Sequence, residues 1–171
     1  MKPIKLKELL EQAKDPETQQ IEIKEDYTLS AKTVFEGIVK DIPENMLGKY
    51  YISDWYGRDE TAVLVVLVWV NQPERLIKYV ENSNRDCYRV TIHDLMGNGC
   101  CTNPYIDFAI VNIKTGEVLV DRVHDKTYTV DDNNDYDQFL AYEWKTVRAW
   151  EAKDGKMIFY ILPPRGKKAK P

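Results

Sequence analysis

His93-Asp94 and His124-Asp125 are the residues best suited by type to proton transfer near neutral pH, where imidazole titrates and a neighbouring carboxylate can orient it. Neither histidine stands in an HxH or HExxH spacing, so a structural role outweighs a catalytic or metal-binding one. Cys100-Cys101 follow Gly97-Asn98-Gly99, which places thiols in a loop near His93, as an activated cysteine nucleophile requires. The surrounding residues match no cysteine-hydrolase signature, and burial of small thiols is the plainer expectation. Asp131, Asn133, Asp135 and Asp137 alternate like the start of a calcium loop. Position six of that loop is Tyr136 where the turn needs glycine, and position twelve is Tyr142 where the ion needs a bidentate glutamate. A solvated acidic turn is expected there. No cofactor motif is present.

Asp15 followed by Glu22-Ile23-Lys24 resembles the Asp…Glu-x-Lys arrangement of restriction-type nucleases, in which two carboxylates hold a divalent metal and the lysine positions water. The resemblance implies a metal-dependent nuclease, carried here as a second alternative. The aromatic set Tyr50, Tyr51, Trp55 and Tyr56 offers more. Strand alternation puts Tyr51 and Trp55 on one face and Tyr50, Ile52 and Tyr56 on the other. An exposed face of this kind would stack unpaired bases, at about 1–3 kcal/mol each, with Lys40, Lys49 and Arg58 placed to meet phosphates. The competing expectation is that both faces are core.

The chain has 171 residues, 43% apolar and 30% charged, enough for one soluble domain with a substantial core. A net charge of -4 disfavours a general polyanion binder. Three cysteines, Cys87, Cys100 and Cys101, form no disulfide framework, and reduced thiols in a cytoplasmic protein are expected. The N-terminal stretch has no uninterrupted apolar segment, so neither a secretory signal nor a membrane contact is expected.

The elements that must position these residues are organised around Thr61 to Val70. Its unbroken apolar run from Val63 to Val70 is β-branched and follows the turn Gly57-Arg58-Asp59-Glu60, which predicts a strand buried on both faces. Residues 4–14 read as an amphipathic helix stopped by Asp15-Pro16. Gln20 to Asp26 reads as a short edge strand. Thr33 to Ile42 reads as a strand bent at Gly37, and with Lys49 to Tyr56 it makes 33–70 an antiparallel meander. A helix is predicted after Asn71-Gln72-Pro73, and a strand over Asp86 to Leu95. Two hairpins are expected, Tyr105–Val123 turning at Lys114-Thr115-Gly116 and Lys145–Leu162 turning at Lys153-Asp154-Gly155. A short strand is predicted at Lys126 to Val130 and a short helix or strand over Gln138 to Trp144. No internal repeat is legible. The boundaries expected are a single domain over 1–162, with its helix in 1–15 and C-terminal strands in 126–162, and a basic disordered tail over 163–171.

A strand with a central glycine (Gly37), an aromatic strand, an apolar strand, a helix over Pro73 to Val80, a further strand and a hairpin, spanning about residues 33–120, resemble an OB-fold domain in their order. That resemblance implies a barrel whose ligands cross the second and third strands and touch Tyr51, Trp55 and Tyr50 or Tyr56. The fold class expected is mainly β with short helices, either a curved antiparallel sheet or an OB-like barrel. A two-sheet sandwich or an α+β sheet fits the pattern nearly as well. The function expected is non-enzymatic binding of another macromolecule through Tyr50, Tyr51, Trp55, Tyr56, Arg58, Lys40 and Lys49. Single-stranded nucleic acid is one partner; an inhibitor or adaptor that binds protein is the alternative, and a dimer is open.

Overall fold

The central apolar segment forms strand β4, Val63–Trp69, and it lies inside a sheet, paired on both sides. A computed structural model describes residues 3–27, 30–58, 61–70, 90–95, 107–122 and 141–162. The first sheet contains β1 (Gln20–Tyr27), β2 (Ser30–Ile38), β3 (Ile52–Gly57) and β4, in the order β2-β1-β4-β3. The second contains β5 (Phe108–Asn112), β6 (Val118–Arg122), β7 (Val147–Lys153) and β8 (Lys156–Ile161), in the order β6-β5-β8-β7. Short helices α1 (Leu6–Leu10), α2 (Glu44–Leu47) and α3 (Ile92–Leu95), with a 3₁₀ turn at Val39–Asp41, complete the described elements. The protein is mainly β with few short helices, as its composition predicts.

Both expected hairpins form, and their turns show why. Gly116 adopts φ 73°, while Asp154 and Gly155 adopt φ 53° and 75°, the left-handed pair that matches the twist of two adjoining strands. Non-local pairing departs from expectation. Segment 20–27 is an inner strand, antiparallel to β2 and parallel to β4, where a short edge strand was expected. Consequently β2 and β3 stand at opposite edges of the sheet, and 33–70 is no meander. The sheets are open and mixed, not closed into a barrel. The end of the predicted strand over Asp86 to Leu95 is helical from Ile92, where Thr91 caps the turn through Asp94. The helix predicted after Asn71, the strand at Lys126 to Val130, the acidic turn at 131–137, the tail over 163–171, Cys87, Cys100, Cys101 and His124 lie outside the described residues.

The structure contains a repeat that the sequence does not display. Each sheet is two hairpins joined through a parallel central pair, β1 with β4 and β5 with β8. The irregularities recur as well. One residue bulges from the second strand of each half, Val34 opposite Ile23-Lys24 and Leu119 opposite Ile110-Val111. Another bulges from the third strand, Ser53 and Arg148. Lys5 bridges Tyr51 just before α1, and Thr91 bridges Thr146 just before α3. Ile52 donates its N–H to Ile4 O at 2.9 Å, and Val147 donates to Val90 O at 3.0 Å.

The halves enclose one core, and each closes the other. Fully buried Trp55 on β3 donates its indole N–H to Leu95 O at the end of α3, 2.9 Å away. Fully buried Trp150 on β7 donates to Leu9 O at the end of α1, 2.6 Å away. Each bond ends on a carbonyl in the last turn of a helix, and Leu9 O accepts the Gln12 N–H at 3.1 Å as well. Trp55 also meets Phe159 edge to face, 5.3 Å between centroids. Buried Gln19 adds a polar link, donating to Gln20 O and Ala62 O and accepting the Ala152 N–H at 2.9 Å. At the seam, a Cβ on Gly57 would fall on the Gly155 carbonyl, so only glycine fits there.

Trp55→Phe and Trp150→Phe each remove one buried hydrogen bond between the halves and part of a core ring, and each is expected to cost roughly 1–3 kcal/mol. Gly57→Ala forces the two halves apart, at roughly 1–3 kcal/mol. Thermal unfolding followed by circular dichroism measures all three. A silent Trp55→Phe beside a damaging Trp150→Phe would contradict the reciprocal closure.

Candidate interaction surface

The aromatic strand does not form the expected stacking platform. Trp55, Tyr50 and Tyr51 are buried, and Tyr56 is half-buried on the outer face opposite Val65. The bulge at Ser53 is the physical reason. It shifts the alternation by one, so Ile52 and Trp55 both enter the core although their spacing puts them on opposite faces. Tyr50 donates its hydroxyl to Glu25 at 2.5 Å, and Lys5 lies 5.7 Å over the ring of Tyr51.

The cations expected to meet phosphate are engaged within the chain. Arg58 pairs with Glu22 and with Glu36, the latter at 3.2 Å. Lys40 lies 2.6 Å from Glu17, and Lys49 donates to the Tyr50 hydroxyl at 2.8 Å. Glu22 is buried, which works against its charge. The Thr33 hydroxyl, Arg58 and Lys24 outweigh that burial and hold its carboxyl below the usual range. Its oxygens serve these partners, while the Asp15 oxygens accept the Glu17 N–H and the Thr18 hydroxyl. The nuclease-like residues therefore already have structural duties. Among the described residues no group of three or more His, Cys, Asp or Glu is arranged to hold a metal ion. No helix among them is long and apolar enough to cross a membrane.

A different cluster stands out on the second half. His93, in the first turn of α3, donates its backbone N–H to Glu143 O at 2.7 Å. Its Nδ1 lies 2.5 Å from the Glu143 carboxylate, which can only accept, so Nδ1 carries the proton of this contact. The imidazole stacks on Trp144, 4.2 Å between centroids at 21°. Trp144 is nonetheless 68% exposed. An indole held on one face and open on the other is a rigid apolar contact with little rotamer freedom left to lose.

Trp144 is not alone. The exposed large hydrophobics among the described residues are Ile113 at 43%, Val118 at 57%, Trp144 and Leu162 at 37%. The register places them together. Strands β5 and β8 finish, and β6 and β7 begin, at one end of the second sheet. Ile113 directly follows β5 and Leu162 follows β8; Val118 opens β6, and Trp144 precedes β7. Across four strands this row spans roughly 15 Å. Scattered apolar side chains on a surface are ordinary, whereas these four share one end of one sheet. Sequence reasoning passed over Trp144, although its place outside the alternating hairpin was visible. Ile113, Val118 and Leu162 looked like ordinary strand residues.

Comparison with protein-family models, with curated proteins and with solved structures finds no match for this chain.

On the outer face of the first sheet, burial raises the carboxyl of Asp54 to about 6, against the pull of the Trp55 N–H at 2.7 Å and with a contribution from Asp26. A folded-state value above the ordinary 3.8 means the native state holds the proton longer than the unfolded chain does. Stability from this group is therefore complete at low pH and declines as pH rises to about 6. Asp54→Asn is expected to match the wild-type melting temperature near pH 4 and to exceed it by a few degrees near neutrality. Equal melting temperatures at both pH values would remove this account.

Proposed function

We propose that this chain is a non-enzymatic protein-binding protein, an inhibitor or adaptor, that makes contact through the apolar end of its second sheet. The observation that carries this reading is the gathering of Ile113, Val118, Trp144 and Leu162 at one sheet end. A rigid tryptophan amid smaller apolar side chains is the composition of an interface hot spot. The first-sheet aromatics lend no surface to nucleic acid once Trp55, Tyr50 and Tyr51 are buried, and an acidic chain repels phosphate. The reduced-thiol reading of Cys87, Cys100 and Cys101 supports a cytoplasmic location.

Trp144→Ser combined with Val118→Ser tests the surface, because both side chains are exposed and their loss is expected to shift stability by under about 0.5 kcal/mol. Affinity purification of tagged wild type and variant from host-cell extract, quantified by mass spectrometry, is expected to show at least about 30-fold loss of bound protein, the effect of one hot spot worth about 2 kcal/mol. Equal recovery of the same proteins by both forms would refute the assignment.

A further inference from the structure

The repeat separates what the fold needs from what it merely permits. The start of each short helix is held alike in both halves. Glu8 accepts the Lys5 N–H at 2.8 Å, and Asp94 accepts the Thr91 N–H at 3.1 Å. Leu6 donates to Tyr50 O, and Ile92 donates to Lys145 O, both at 3.0 Å. These bonds match Lys7 with His93, Gly48 with Glu143 and Lys49 with Trp144. In the first half those places carry no comparable cluster. Lys7 lies 3.9 Å from Glu11 along its own helix, Gly48 has no side chain, and Lys49 donates to the Tyr50 hydroxyl. The apolar row does not recur either, since the register matches Ile113 with Asp26, Val118 with Thr33 and Leu162 with Trp69. Helix capping and strand pairing therefore do not require His93, Glu143 and Trp144 to meet.

The geometry shows what their meeting does. Glu143 holds His93 at two points, its carbonyl on the backbone N–H at 2.7 Å and its carboxylate 2.5 Å from Nδ1. Two anchors on one residue fix both the place of its Cα and the plane of its ring. The ring so fixed lies against one face of Trp144, 4.2 Å between centroids and 21° from parallel. Glu143 and Trp144 are neighbours in sequence, so the three residues form a closed circuit in which each restrains the next. The indole stays 68% exposed, so the stack does not serve to bury it. It removes beforehand the rotamer freedom that docking would otherwise have to remove.

Resting on the protein-binding reading above, we infer that His93 is a positioning residue, locked by Glu143, that presets Trp144 in one orientation for docking. His93 acts through the indole, and Glu143 acts through His93.

NMR relaxation of the isotope-labelled indole N–H groups in the full-length chain tests this, the Trp144 signal being identified by its loss in Trp144→Ser. Its order parameter is expected above about 0.8 in the wild type and below about 0.6 in His93→Ala and Glu143→Ala. The Trp55 and Trp150 signals, tied across the core, are expected to stay unchanged. Glu143→Gln keeps an acceptor for Nδ1–H and is expected to retain the order. In affinity purification from host-cell extract, both alanine variants should recover at least about threefold less of the proteins that wild type retains. Glu143→Gln should recover them as wild type does. A Trp144 indole equally ordered in both alanine variants overturns the inference and leaves the docking surface standing. So does a loosened indole with unchanged recovery, where Trp144→Ser/Val118→Ser still loses its partners. Glu143→Gln with an ordered indole but lost recovery makes Glu143 a direct contact and overturns the inference. Unchanged recovery in every variant, the double one included, refutes the docking surface and the inference with it. Where His93→Ala disturbs Trp55 or Trp150, Glu143→Ala decides, because it leaves the imidazole in place. Disturbance in both makes the cluster structural and overturns the inference.

Discussion

Two indole hydrogen bonds hold this fold together, and the rest of the architecture can be read from them. A four-stranded sheet with one apolar face cannot bury that face alone, so each half needs the other. Apolar burial supplies the drive but is indifferent to how one sheet sits on the other. Trp55 on Leu95 O and Trp150 on Leu9 O supply the direction. Each indole reaches across to the helix of the opposite half, so a sliding displacement would break both bonds at once. The indole donors lie in the interior, where an unpaired N–H is costly. This makes the relative placement of the halves specific as well as favourable. The segment after α1 reinforces it, since Trp150 donates to Gln12 O and Lys14 donates to Trp150 O, both at 2.8 Å.

With the inner faces fixed by mutual burial, the outer faces are free to differ, and they do. Glu22, Lys24 and Asp54 lie on the outer face of the first sheet; Ala109, Val111 and Ala149 occupy the equivalent places on the second. The first sheet satisfies Glu22 locally, through Arg58, Thr33 and Lys24, while burial and the nearby Asp26 raise the carboxyl of Asp54. The second keeps its charge pairs toward the margin, Lys156 with Asp121 at 2.6 Å and Lys14 with Glu151 at 3.1 Å. One half is therefore self-contained electrostatically on its outer face, while the other carries exposed apolar side chains at its end.

What was legible in the sequence was local. The run Val63 to Val70 identified the inner strand β4, and glycines at 116 and 155 marked the hairpin turns that form. Pairing between distant segments left no such trace. Glu22, Lys24 and Glu25 make 20–27 look like an edge, yet the strand is central because Arg58, Thr33, Lys49 and Tyr50 partner those carboxylates from neighbouring segments. Bulges at Ser53 and Arg148 reset the alternation on which face assignments depend, and so exchanged the expected exposure of Trp55 for burial. The repeat stayed hidden because its halves share apolar class and irregularity, not residue identity: Leu6 answers to Ile92 and Val66 to Phe159. The candidate surface was hidden for a related reason. Strand-end residues such as Val118 and Leu162 read as core by type, and only the register reveals that nothing among the described elements covers them.

An exposed apolar row beside an edge strand is a hazard, because β6, an edge among the described strands, offers backbone groups to any passing strand. The fold limits that hazard: Leu119 bulges from β6 and interrupts its edge, Asp121 and Lys156 place a charge pair farther along, and the net charge of -4 keeps copies apart. The first half demonstrates that a polar end is compatible with the same backbone, since Asp26, Thr33 and Lys49 occupy three of the four equivalent positions without disturbing register or bulges. Packing does not require Ile113, Val118 and Trp144 to be apolar, and solubility opposes it. The protein-binding role proposed above is the reading that gives these side chains a use.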